Sequence, residues 1–458
     1  MIAAGAVFSV WRATSDNPRM RLLVLAIVAV TATQLPPRPP DIPFRIHTID
    51  LGASETAAVA DVNRDGRPDI ISGESWYQAP NWTKHRFRDL GFSNQYIDNF
   101  SDLAVDVDAD GYPDVVSVSW FAKKVAWWRN PSTRAAPAPG ARSAPAPASR
   151  PSLWQEEPIH TGFNVEFAIL ADIDNDGKAN EVVAQENGTP QAWYEISSAR
   201  GPSEARSRRA SASGGGAPRA LNDAWVAHVV SDRSYGHGIG AGDVNGDKRT
   251  DILTPRGWLE APADPRTGAW TFHDAWESIN VPQTPAAAPT KPGAPARVSE
   301  LGFMHVLDVN GDGRNDIVTA AGHDYGVYVF EQGSNGQWTR RTIDAAWSQG
   351  HASTLADLNG DGRPDLITGK RFMAHNGSDP GEKEPLGVYW YERLPARPLA
   401  STGTVEWVRH IVDFGGRMGA GMQLPVVDLD SDGDLDLVCP GKSGLFLVEN
   451  LTKNPAKR

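Results

Sequence analysis

The chain has 458 residues, 40% of them hydrophobic and 22% charged, with a formal net charge of -12. That length admits one very large domain or several ordinary ones, and the negative balance excludes a nucleic-acid surface, which needs clustered Lys and Arg to displace counterions. The lone cysteine, Cys439, excludes an internal disulfide, so an exported form of this chain must be held together by its core or by metals.

The first element is a nine-residue apolar run, Leu22 to Val30, preceded by Arg19 and Arg21. It is too short to span a bilayer and fits the hydrophobic region of a signal peptide, with cleavage after Ala32. Residues 1–32 therefore read as a leader whose true start is Met20, and residues 33–43 as a linker. The expected location is periplasmic or extracellular, with no stable membrane span once the leader is gone. A buried first strand or helix is the competing reading.

Beyond residue 44 one motif recurs seven times. Its acidic and amide positions are Asp61, Asn63, Asp65 and Asp69; Asp106, Asp108, Asp110 and Asp114; Asp172, Asp174 and Asp176; Asp243, Asn245, Asp247 and Asp251; Asp308, Asn310, Asp312 and Asp316; Asp357, Asn359, Asp361 and Asp365; and Asp428, Asp430, Asp432 and Asp436. Calcium explains the spacing, because a hard cation takes six to eight oxygens and alternate residues of a tight loop can all point inward. Glycine at position six supplies the positive φ that turns the chain, and the Asp at position nine closes the cage. Asp, Asn and Gly are also ordinary turn formers, but seven copies in register exceed what turns require. Two copies depart from the rule. Lys248 stands where the fourth should have Gly, and the third has Asn180 and Glu181 where a single Asp is expected; these two sites are expected to bind metal weakly or with altered geometry.

Each copy follows an apolar run such as Ala57 to Ala60 and precedes a β-branched run such as Asp69 to Ser72, so it sits in a strand–loop–strand hairpin. An aromatic strand follows, as at Trp76, Trp127, Trp193 and Trp390, and then a fourth strand carrying His85, His228, His273 or His410. Four short strands per repeat predict an all-β, seven-bladed β-propeller of four-stranded antiparallel blades over residues 44–451. The chain opens on a fourth strand at Phe44 and ends on a third strand at Leu445, so the N-terminal strand is expected to complete the last blade and close the ring. Segments 131–152, 197–220 and 281–297 are rich in Ala, Pro, Ser and Gly and read as solvated insertions, and residues 452–458 as a tail.

These loops resemble the FG-GAP and VCBS repeat family, whose Asp-x-Asp/Asn-x-Asp-Gly-x-x-Asp motifs occur in integrin α-subunit propellers and many exported bacterial proteins. The resemblance implies a propeller with up to seven structural Ca2+ sites and leaves function open, since the family includes adhesion modules, binding proteins and propellers attached to enzymes. The arrangement is also similar to the propeller of aldos-2-ulose dehydratase, a sugar lyase.

Hairpin geometry assigns the remaining polar residues to faces. Positions six before a motif and thirteen to fifteen after its start meet at the rim opposite the calcium loops. The first offset gives Glu55, Glu166, His237 and His351; the second gives Glu74, Glu186, Arg256, His323, Lys370 and Arg371, and the polar loop from Gly369 to Asp379 adds His375. Glu166, His237, His351, His323 and Lys370 are the catalytic candidates. Glu55, Glu74, Glu186, Arg256, Trp258, Arg371 and His375 are the candidate ligand contacts. The Glu and His set suits a transition metal or Zn2+ with an open position; alternatively it supplies a general acid and base on a sugar, with Arg256 and Lys370 holding an oxyanion. Polar groups at a water-filled mouth also cost little to keep and need do nothing. His305 has the opposite strand parity and reads as core, and Trp258 and Trp120 fall outside the core register, free to stack on a sugar ring or to join the core.

Three functions follow. The first is a calcium-stabilised exported propeller that binds a polar small molecule or glycan at its top face. The second is a metal-dependent sugar lyase or dehydratase, and the third a scaffold or adhesion module with a protein partner.

Overall fold

The computed structural model describes residues 41–131, 153–187, 190–197, 219–220, 224–276, 300–395 and 405–453. The expected leader, the linker up to residue 40, nearly all of the three insertions and the tail from residue 454 lie outside the described residues.

The motif spacing dictates the sheets. In loop one's sheet, Ala57–Ala60, Asp69–Ser72, Ser75–Gln78 and Thr83–Arg86 pair antiparallel in chain order. The order repeats in Ser101–Val105, Asp114–Ser119, Lys124–Arg129 and Gln155–Thr161, and again in Ser353–Ala356, Asp365–Gly369, Gly387–Arg393 and Trp407–Phe414. Asn164–Ala171, Glu181–Asn187, Gln191–Ile196 and Trp225–Ser231 follow it around loop three. The hairpins of loops four and five are fused into one eight-stranded sheet by a short parallel pairing of their first strands, Ile239 to Phe303 and Gly240 to Met304. A Cβ at Gly240 would lie 2.2 Å from the Met304 carbonyl oxygen, so only glycine allows this approach. In the last sheet Val426–Val427, Asp436–Gly441 and Gly444–Asn450 are completed by the N-terminal strand Phe44–Asp50, antiparallel to Gly444–Asn450. The described residues form no α-helix. Antiparallel four-stranded units packed through their first strands are the architecture of a β-propeller.

Four of the units share one recurring core contact. Trp76, Trp193, Trp258 and Trp390 stack on His85, His228, His273 and His410 of the neighbouring strand, with centroids 4.0–4.3 Å apart. The imidazole edge of three of them meets a carboxylate, Glu195, Glu260 or Glu392, at 2.7–2.9 Å. A flat polar ring can therefore lie in an apolar layer with its nitrogen satisfied. This corrects the reading of Trp258. It keeps the common register opposite His273, is 6% exposed and belongs to the core around Val244 and Leu253, so its face is not free for a sugar. Trp120 likewise packs against the core.

The aspartate loops share one hydrogen-bond pattern. In loop one Asp61 accepts from the backbone N–H groups of Asp65 and Gly66, while Asp69 accepts from Val62 N and, across the hairpin, Ala79 N. Asp114, Asp251, Asp316, Asp365 and Asp436 make the same two-sided contact. The ninth Asp is thus a strut that ties the loop to the end of the third strand. Burial drives its pKa up, to about 6 at Asp69 and Asp316 and about 7 at the other four, against the lowering effect of those N–H groups.

The two irregular copies keep this geometry. Lys248 adopts φ +69° and donates its N–H to Asp243 at 2.8 Å, the contact Gly66 makes with Asp61. In loop three the side chain of Glu181, one residue late and one methylene longer, takes over the strut by accepting from Ile173 N. Its carboxylate lies with those of Asp172 and Asp174 in a group that could hold a cation. Both loops thus keep backbone hydrogen bonds of the regular copies.

Candidate metal centre

The position six before each motif lies near the start of a first strand. Its occupants are Glu55, Phe100, Glu166, His237, Gly302, His351 and Met422. Gly302 is required there, because a Cβ would lie 2.4 Å from the carbonyl oxygens of both Gly350 and His351. Four polar groups converge beside it. Glu166, His237, His323 and His351 each offer one ligand atom, all within 4.8 Å of one another.

The orientation of the rings is more informative than their proximity. His237 donates Nδ1–H to the Leu301 carbonyl at 2.7 Å, His323 donates Nδ1–H to Asp379 Oδ2 at 2.7 Å, and His351 directs Nδ1 at the Gln349 carbonyl at 3.5 Å. A carbonyl or carboxylate acceptor commits the proton to Nδ1, which leaves the three Nε2 lone pairs pointing at each other. The Nε2 atoms of His323 and His237 are 3.0 Å apart, those of His351 and His323 3.4 Å, and Glu166 Oε2 is 3.4 Å from His237 Nε2. Donors bonded at about 2.0–2.2 Å to one ion are separated by about 2.8–3.6 Å in octahedral or tetrahedral geometry. The observed spacings fall in that range.

Electrostatics agrees. Burial, with the neighbouring His237, pushes His323 down to about 3, and burial with Arg371 and His323 pushes His351 well below the usual imidazole range, so both rings are neutral donors. For His237, burial is outweighed by Glu166, which raises it, while His237 and Arg371 hold the Glu166 carboxyl well below the usual carboxylate range against its own burial. With no cation between them, one proton on His237 serves the cluster. A metal ion would replace it.

Around these four, carboxylates and cations set positions. Arg371 is 2% exposed and bonds Glu55 through Nε at 3.0 Å and Glu166 Oε1 through Nη1 at 3.2 Å. It therefore orients a candidate ligand and is not exposed as a ligand contact, a correction that extends to Glu55, which is fully buried beneath it. Lys370, a catalytic candidate, is also fully buried and donates to Ser348 Oγ and the Gly381 carbonyl. It fastens the loop that carries Asp379 and does not reach the cluster. His375 is 47% exposed by side chain, bonds the same Asp379 oxygen and stacks on His323 at 4.1 Å.

The remaining candidates lie apart. Glu74 pairs with Arg86 and accepts from Leu90 N beside a separate cleft of about 320 Å³. Arg256 sits in the turn between Asp251–Thr254 and Gly257–Glu260. Glu186 pairs through its backbone with Val165, and its side chain lies outside the described residues. His305 bonds Ser353 Oγ in the core, where burial lowers it to about 4.

Three participants escaped the sequence reading. Lys442 lies fourteen residues after the start of loop seven, the offset that also selects Arg371, so the rule applied to that last hairpin would have found it. Its Nζ sits 3.6 Å over the Tyr96 ring, 3.9 Å from Glu55, and donates to the Met373 carbonyl. Tyr96 comes from a two-stranded hairpin and Asp379 from an insertion, and neither follows any offset of the repeat.

Comparison with known proteins places part of this in context. Residues 308–368 match the FG-GAP-like repeat family, and no curated protein matches the chain. Among solved structures the chain is similar to BBS1N in complex with ARL6DN. In a mercury-soaked crystal the identity is 10% and the TM-score 0.46 over 91% of this chain and 97% of that one; in a lead-soaked crystal they are 9% and 0.44 over 89% and 98%. An Agrocybe aegerita lectin described as recognising non-reducing terminal N-acetylglucosamine is similar at 14% identity and TM-score 0.31, over 90% of this chain and 81% of that one.

Proposed function

We propose that this chain, a β-propeller of FG-GAP-like repeats, has seven blades closed by its N-terminal strand and is held by calcium at its aspartate loops. In this reading it is exported and carries one first-row transition-metal or zinc ion on Glu166, His237, His323 and His351. The observation that carries the reading is the orientation of the three imidazoles, whose Nδ1 atoms face acceptors while their Nε2 lone pairs converge. Unshared lone pairs are not brought together in a buried site without a cation or proton to bind them.

A metal so held would supply Lewis acidity at an open position. The chain's own groups do the rest: Arg371 and Leu301 fix the donors, Asp379 fixes His323, and the buried surroundings keep bulk water from competing. The substrate we propose is a polar, oxygen-rich molecule of the carbohydrate class, bound through its hydroxyl or carbonyl oxygens. Support comes from exposed apolar rings, Phe372 at 39% and Phe92 at 68%, in the segments that meet through Asn376 and Asn94, which offer a sugar ring its apolar face. Lyase or dehydratase chemistry is the activity such a centre would serve, and it ranks above an adhesive role because an adhesive surface has no use for a buried donor set.

Metal analysis after purification in calcium tests the proposal. One zinc, manganese, iron or cobalt per chain, lost in the double variant His237→Ala, His351→Ala while calcium is retained, supports it; calcium alone in the wild-type protein rejects the centre.

A further inference from the structure

Loop 372–384 is strained and pinned more heavily than its exposure demands. Met373 and Asn376 both have positive φ, at 44° and 58°, and non-glycine residues in that region cost on the order of 1 kcal/mol each. Two buried lysines hold it, Lys370 at the Gly381 carbonyl and Lys442 at the Met373 carbonyl. The Glu382 carboxylate accepts from the backbone N–H groups of His375 and Asp379. Burying two ammonium groups and a carboxylate to position a surface loop is costly, and the loop presents one half-exposed polar ring beside the centre.

That side chain is His375. Its ring is parallel to His323 within 5° and 4.1 Å away, and both rings direct Nδ1 at the same oxygen of Asp379. Two stacked imidazoles anchored at the same vertex present the same far edge. His375 Nε2 therefore lies about one stacking distance from the donor edge of His323, on the solvent side. It is too far from the other donors to be a fifth ligand, since the cation-holding group that contains His375 includes neither His237 nor His351.

We infer that His375 is the hydrogen-bonding partner of whatever oxygen or nitrogen ligand occupies the open coordination position, an inference that rests on the metal reading above. Asp379 holds the His375 proton at Nδ1, so Nε2 accepts, and the ligand class is a small donor that carries a hydrogen on its metal-bound atom or on the neighbouring atom: water, a hydroxyl or a hydroxamate. Asp379 then does two jobs with one oxygen, orienting a donor to the metal and a contact to its ligand.

The test uses the full chain loaded with cobalt(II), with acetohydroxamate as the probe and the visible spectrum as the readout. His375→Ala should bind cobalt with the wild-type stoichiometry and ligand-field bands yet bind acetohydroxamate about tenfold more weakly, the loss of one hydrogen bond, and His375→Gln, whose amide oxygen also accepts, should recover part of that. Unchanged acetohydroxamate affinity in His375→Ala overturns the inference. So does loss of cobalt from that variant, which would make His375 a ligand. A wild-type chain that takes up no cobalt removes the metal reading itself, and a melting curve in calcium identifies any variant that has failed to fold.

Discussion

His323 and His375 lie face to face, 4.1 Å apart, and share one carboxylate oxygen, Asp379 Oδ2, which each approaches through Nδ1 at 2.7 and 2.8 Å. Through His323, Asp379 sets the orientation of one of the four converging donors.

Asp379→Asn should therefore weaken zinc binding by about 10–100-fold, the usual cost of losing a partner behind a metal-binding histidine, with stoichiometry intact at saturation. Titration of zinc against a chelating dye measures it. An affinity equal to wild type would show that His323 is not a ligand.

The six ninth-position aspartates give the metal-free protein an unusual pH dependence. Their folded pKa values, about 6 to 7, stand above the unfolded value of about 3.9. A group raised on folding adds stability that is complete below its unfolded pKa and is lost as the pH climbs through the folded one. In excess chelator the melting temperature should fall between pH 5 and pH 7.5, and calcium should restore more at the higher pH, where ionised loops bind it and it stabilises the fold by mass action. Melting curves at the two pH values, with and without calcium, decide this; a chelator-insensitive melting temperature would count against structural calcium.

Lys248 holds a backbone conformation suited to glycine, φ +69°, with its N–H already placed on Asp243. Lys248→Gly should stabilise the fold by up to about 1 kcal/mol without disturbing the loop. Denaturant unfolding resolves a gain of that size, and a loss would mean the lysine side chain contributes something its backbone does not.

Arg88 and Asp102 form a fully buried ion pair at 2.8 Å, with Asn99 completing the set. Arg88→Met should cost about 3–5 kcal/mol by leaving a carboxylate unpaired, and adding Asp102→Leu should recover much of it. Equal destabilisation in the single and double variants would contradict the pairing.

The repeat made the framework legible. Seven aspartate loops set the hairpins, and because side chains alternate along a strand, two fixed offsets from the loops selected Glu166, His237, His323 and His351 from four successive repeats. The same rule included Lys370 and Arg371, whose offset is right but whose long side chains reach to Gly381 and to Glu55; offset locates a Cα and says little about where a flexible chain ends. Trp258 was misread although it stands as far after the start of loop four as Trp76 does after loop one, in a strand of equal length, Gly257–Glu260 against Ser75–Gln78; the rim offset overlaps the core register where the turn is this tight. Asp379 and Tyr96 were illegible for a different reason: they belong to segments inserted between the repeating strands, where no periodicity constrains placement.

Gly302 lets the first strands approach closely enough for His351 and its neighbours to meet, and the four donors come from four successive repeats far apart in the chain. An ion seated among them would act as a rivet through sheets that otherwise touch only their nearest neighbours. Loosening any one of the four, even by emptying its aspartate loop at the opposite end of the hairpin, should be felt by the other three as a lost grip on the same atom.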